Sequence, residues 1–105
     1  MWSSRSAPFS PPERERLALY GARLLFTEME SRLALAAREL ARFESKYRMT
    51  LAHLQEIGLP EDIGLEAHED YVEWSGWQAT HDEASQTLEI LKKILETADA
   101  FAVAE

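Results

Sequence analysis

Carboxylates crowd one stretch of this sequence: Glu66, Glu69, Asp70 and Glu73 fall within eight residues, with Tyr71, Trp74 and Trp77 among and beyond them. One chemistry for such a cluster is divalent-metal binding, as in metal-dependent nucleotide hydrolases of helical-bundle type, and Glu69 and Glu73 share a helix face at i and i+4. A later acidic pair, Glu96 and Asp99, would have to complete the site. The 23 residues of straight helix from Glu73 to Glu96 span ~34 Å, so only a second chain could bring the two pairs together. The structural alternative is that carboxylates in a first helical turn interact with its unpaired N–H groups and the positive end of its dipole.

Other catalytic arrangements fail on residue type. A di-iron bundle needs Glu-x-x-His on two helices, and the nearest segment, Gln78-Ala79-Thr80-His81, occurs once with the wrong first residue. His81 falls on an apolar seam, where a lone histidine serves as a hydrogen-bonded core residue that fixes register. No Ser/His/Asp arrangement can be assembled from His53 and His68 by spacing, there is no cysteine, and no glycine-rich phosphate loop exists. The reading therefore assigns no catalytic residue, no metal ligand and no cofactor. What remains is recognition, because Tyr and Trp are common hot spots of protein interfaces. Glu69, Asp70, Tyr71, Glu73, Trp74 and Trp77 form the candidate partner-binding set. Against it stands the position of Tyr71, Trp74 and Trp77 on or beside the seam, where aromatic residues belong to a core.

The elements that position these residues are legible from periodicity. Ser10-Pro11-Pro12-Glu13 is a helix start, with a hydroxyl cap, proline at the first helical position and Glu13 placed for a capping box. From there Leu19, Ala22, Phe26, Met29, Leu33, Ala36, Leu40, Phe43 and Tyr47 recur in an unbroken 3-4 rhythm, which is a heptad seam. Leu17, Leu24, Leu25 and Leu35 widen the apolar face toward the broader stripe of a bundle helix. Thr50 is placed to cap a short helix that Gly58 ends, and Gly58 to Gly64 carries the composition of a turn. A second long helix then places Trp74, Trp77, His81, Ala84, Leu88, Leu91, Leu95 and Ala98 on the same rhythm.

The expected fold is all-α: two long antiparallel helices, about 11–48 and 66–102, with a short helix at 50–57 in the corner, dimerising into a four-helix bundle. Residues 1–9 are expected to be a flexible tail in which Trp2 and Phe9 could touch something, and 10–105 a single hairpin domain. A chain of 105 residues with 46% hydrophobic content can build one core, although a two-helix layer alone leaves much of it wet, so a homodimer is expected.

The net charge of −8 hides an asymmetry. Residues 1–50 carry nine Lys/Arg and six Asp/Glu, whereas residues 51–105 carry only Lys92 and Lys93 against thirteen Asp/Glu. One consequence is that the oppositely charged helices help each other to pair; the other is an acidic surface suited to a basic partner. Direct nucleic-acid binding is not expected, because the basic half interleaves its cations with glutamate. The first residues lack the apolar stretch of a signal peptide, and no run approaches the ~20 apolar residues of a membrane span. No membrane partner and a cytoplasmic location are the expectation.

The segments Phe43-x-x-Lys46-Tyr47-x-Met49 and His68-Glu69-Asp70-Tyr71-Val72-Glu73-Trp74, with Leu54 between them and Leu88, Leu91 and Leu95 after them, resemble a group of small helical proteins of archaea, cyanobacteria and other bacteria. Those proteins commonly read Phe-x-x-Lys-Tyr-Gly-Met and Glu-x-Asp-Tyr-x-Glu-Trp, and are often encoded beside a putative toxin of the TumE type, whose antitoxin they are considered to be. The resemblance covers residues 43 to 95, its most specific part being the acidic-aromatic cluster. Arg48 stands where the pattern has glycine, and Leu59-Pro60-Glu61-Asp62 reworks the corner. The resemblance implies an antitoxin that neutralises a neighbouring toxin by binding it and turns over no substrate. Two alternatives stand beside it: a structural coiled-coil scaffold in which every aromatic is core, and the metal-dependent hydrolase, which requires carboxylates of two helices around a common point.

Overall fold

The computed structural model describes residues 9–104, with side chains from 9 to 98; Trp2 and the side chain of Asp99, named above, lie outside what it describes. Three helices account for nearly all of it, and there is no strand among the described residues: α1 is Pro11–Tyr47, α2 Leu51–Ile57 and α3 Leu65–Ala104. The start of α1 and the end of α2 coincide with the spacing-based expectation, and the other four ends differ from it by one or two residues. No described helix is long and apolar enough to cross a membrane.

The caps form as the residue types dictate. Ser10 Oγ accepts from the Glu13 backbone N–H at 3.3 Å, and the Glu13 carboxylate accepts from the Ser10 N–H at 3.2 Å, which closes a capping box ahead of Pro11. The Ser10 hydroxyl also donates to the Glu13 carboxylate at 2.8 Å, and this bond, followed by the one from the Ser10 N–H, holds the Glu13 carboxyl below its ordinary pKa. Thr50 Oγ1 accepts from the His53 N–H at 3.1 Å to start α2. Gly58, at φ +78°, ends that helix and donates its N–H to the Leu54 carbonyl at 2.9 Å. α1 stops at Arg48, which takes the left-handed conformation (φ +57°, ψ +38°) that glycine enters without a Cβ penalty.

Every predicted seam position of α1 is buried or half-buried, and so is every one of α3. The two seams face each other within one chain: the end of α1 packs on the start of α3, and Met29 further back packs with Ala84 and Leu91. The helices are therefore antiparallel, and each covers the other's stripe. Tyr47 bonds Asp70 and Phe43 stacks on Trp74, which sets the register; continued down the helices, it carries Leu40 to Trp77, Ala36 to His81 and Met29 to Leu88.

The core is split in two. One cluster, at the corner, holds Leu40, Phe43, Leu51 and Trp74, and the other, toward the open end, holds Met29, Ala84 and Leu91. Ala36, fully buried, belongs to neither. Continued at this register, Ala36 falls opposite His81, whose Nδ1 lies 3.4 Å from Asp82 Oδ1.

Candidate functional site

The residues singled out as chemically interesting meet at the corner, where α1 ends, α2 crosses and α3 begins. Lys46 Nζ donates to Asp70 Oδ2 at 2.6 Å and to Glu66 Oε1 at 2.9 Å. Tyr47 Oη donates to the same Asp70 oxygen at 2.5 Å. Charge-assisted bonds of this length are the strong ones. Asp70 is well covered, with its side chain 15% exposed. The Lys46 ammonium, then the Tyr47 hydroxyl, hold its carboxyl below the ordinary aspartate range. The same contacts keep Lys46 protonated above lysine's usual range, with Asp70 the larger cause and Glu66 the second. Accepting from Tyr47, Asp70 also raises the phenol's pKa, and burial adds to it.

Directly beneath this latch Trp74, 1% exposed, stacks on two rings of α1. Its centroid lies 5.7 Å from that of Phe43 and 5.6 Å from that of Tyr47, at interplanar angles of 14° and 18°, the offset arrangement that aromatic quadrupoles favour. The Phe-x-x-Lys-Tyr segment of α1 and the Asp-x-x-x-Trp segment of α3 thus touch one another, and their first task is to close the hairpin.

The six candidate partner-binding residues therefore separate. Trp74 belongs to the core and offers no exposed surface to a partner. Asp70 is committed to Lys46 and Tyr47. Trp77 is half-buried against the corner cluster, and Tyr71 is half-buried beside a cavity. Glu69 is exposed. Glu73 is exposed too, 3.5 Å from the Arg42 guanidinium, which itself lies 4.3 Å over the Phe43 ring. The sequence reading missed the pairing of Lys46 and Tyr47 with Asp70; its signal was the recurrence of a Lys-Tyr pair at the end of one seam and an aspartate at the start of the other.

Two further features of the corner were not anticipated. The first is a cavity of about 150 Å³ lined by Tyr47, Leu54, Leu59, Pro60, Ile63, Ala67, Tyr71 and Trp74, all apolar but for two phenol hydroxyls. The indole Nε1 of Trp74 has no hydrogen-bond partner among the described residues. The second is electrostatic: between Arg48 and Lys92 there is no lysine or arginine, while ten carboxylates occur. Lys46 and Arg42, reaching over from α1, compensate Glu66, Asp70 and Glu73. Glu56, Glu61, Asp62 and Glu69 make no ion pair among the described residues.

The carboxylates that converge do so on an ammonium group. Glu66 and Asp70 meet at Lys46, and no group of three His, Asp or Glu that could hold a metal ion occurs among the described residues. The corner is built for holding two helices together beneath an acidic surface. Comparison with known proteins finds no matching family model, no matching curated protein and no matching solved structure.

Proposed function

We propose that this chain is a protein-binding module of antitoxin type, which neutralises a basic partner by covering the partner's cationic surface with its own acidic corner. The observation that carries the reading is the run of 43 residues from Met49 to Leu91 without a lysine or arginine, which includes the corner, where Glu56, Glu61, Asp62 and Glu69 make no ion pair among the described residues. An uncompensated patch of one sign steers an oppositely charged protein and opposes partners of like charge. The resemblance of residues 43 to 95 to proteins encoded beside TumE-type toxins supports a toxin as that partner.

The reading includes a homodimer, a bundle of two hairpins. Eight hydrophobic residues are buried among the described residues, whereas twelve large ones remain exposed, so much of the apolar surface is left uncovered by the hairpin itself. The seams are already consumed inside the chain, and the second copy must use the outer residues: Leu17, Tyr20 and Leu24 of α1, which recur at helical spacing and are each more than half exposed, and Ile90 and Ile94 of α3.

The test is co-expression with the product of the adjacent gene, followed by light scattering of the purified material. Capture of a small basic protein that is abolished by E61K/D62K/E69K, in a chain whose helicity is unchanged, supports the reading. Alanine at Trp74 does not serve, because removing a buried tryptophan costs about 3–5 kcal/mol and disrupts the hairpin. A scaffold role gains support if the homodimer ignores its neighbour; the burial of Trp74 agrees with that role, and the exposed apolar residues do not.

A further inference from the structure

We infer that the corner cavity is an anchor site for one apolar side chain, of leucine or phenylalanine size, presented by a lysine- and arginine-rich segment of the partner protein. The inference rests on the acidic binding surface proposed above and adds to it a socket and a sequence requirement. Size comes first: a ~150 Å³ apolar cavity admits a benzene-sized group, and the corner cavity has about that volume. The lining comes second. All three helices and the connecting loop contribute, through Tyr47, Leu54, Pro60, Ala67 and Trp74 among others. The Tyr47 hydroxyl is already spent on Asp70, so the walls offer a guest mainly dispersion and desolvation.

The surroundings decide what carries the guest. Leu59, 37% exposed, lies at the cavity, and Ile57, 60% exposed, stands one helical turn beyond Leu54, so apolar surface continues outward from the socket. That favours a side chain attached to a longer segment over an isolated small molecule. Glu61 and Asp62 lie in the loop between the lining residues Pro60 and Ile63. Two cations flank the lining residue Tyr47: Lys46 is occupied by Asp70 and Glu66, and Arg48 is outnumbered by the two loop carboxylates Glu61 and Asp62. A carboxylate beside the guest meets repulsion, and a lysine or arginine meets an unpaired acid.

The experiment uses the full chain, isotopically labelled, and three synthetic nine-residue peptides that share flanking Lys-Arg pairs and differ only in a central Leu, Phe or Ala. Binding is followed by NMR at low salt, reading the Trp74 indole N–H and the amides of Ile63 and Ala67. The Leu and Phe peptides are expected to bind at least about tenfold more tightly than the Ala peptide, the effect of burying one such side chain, with shifts centred on Trp74 and Ala67. A67F, which fills the socket, is expected to bring all three to the weak affinity of the Ala peptide. Equal affinities for the three, with shifts spread over Glu56, Glu61 and Glu69, would overturn the socket while leaving the acidic surface standing. Absence of binding by all three would overturn both.

Discussion

Asp70 shows how much of this hairpin rests on one carboxylate. It accepts from an ammonium and a phenol at the end of α1, and both contacts favour its charged form. Because its folded-state pKa is lowered, the folded chain binds a proton there less readily than the unfolded chain. The resulting stabilisation is fully present above the ordinary aspartate value of 3.8, and is lost as pH falls through and below it. D70N, which cannot carry the charge, is expected to show a lower urea midpoint than the native chain at pH 7. The gap should close between about pH 4 and pH 2; parallel profiles over that range would refute the latch. Arg48 is the opposite case, a residue working against its backbone. A side chain in the left-handed region costs about 1–2 kcal/mol, and part of that is returned to glycine as greater entropy of the unfolded chain. R48G is expected to gain about 1 kcal/mol in urea denaturation at unchanged m.

The two long helices were legible in the sequence because their burial is periodic: the 3-4 rhythm from Leu19 to Tyr47 and from Trp74 to Ala98 names the positions that the structure covers. The caps at Ser10 and Thr50 were legible because they are local hydrogen bonds. Contacts across the corner were not, since no period links Tyr47 to Asp70 or Leu54 to Tyr71. For the same reason aromatic residues that hold the hairpin shut read as partner-binding ones, and the cavity among them left no trace in the spacing. The seam also shows why the register is unique. A uniform apolar stripe permits sliding by a heptad, whereas a polar residue at one layer penalises every register but its own. His81, opposite Ala36 between the two apolar clusters, fills that place with its side chain 34% exposed. H81L joins the clusters and is expected to raise stability by about 1 kcal/mol through added apolar burial, measured by thermal and urea unfolding. A loss of stability would mean that the contact of the imidazole with Asp82, 3.4 Å away, is one the structure needs.

At the scale of the whole molecule, the hairpin buries its seams and leaves its outer faces apolar in patches. Leu17, Tyr20 and Leu24, at 56%, 62% and 56% exposure, follow one another by three and four residues, so they form a stripe on one side of α1 while Ala22 and Phe26 occupy the side turned to α3. Large apolar side chains at contiguous surface positions mark an association site more often than a solvated face. Exposed Ile90 and Ile94 lie toward the same open end, because antiparallel packing sets late α3 against early α1. The open end thus carries exposed apolar residues on both helices and the corner end is acidic, so the proposed self-association and the proposed partner binding fall at opposite ends of the hairpin. L17Q/Y20Q/L24Q is expected to convert a dimer to a monomer by light scattering. Helicity should be retained, because these three residues contribute nothing to the buried seam. The same variant should still bind the lysine- and arginine-rich Leu peptide at the corner, with affinity unchanged within about twofold, since sites that share no partners and lie well apart behave additively. A native chain that is already monomeric would leave the outer stripe without a second copy, and a triple variant that lost both dimer and peptide would show that the corner is assembled only when the bundle is.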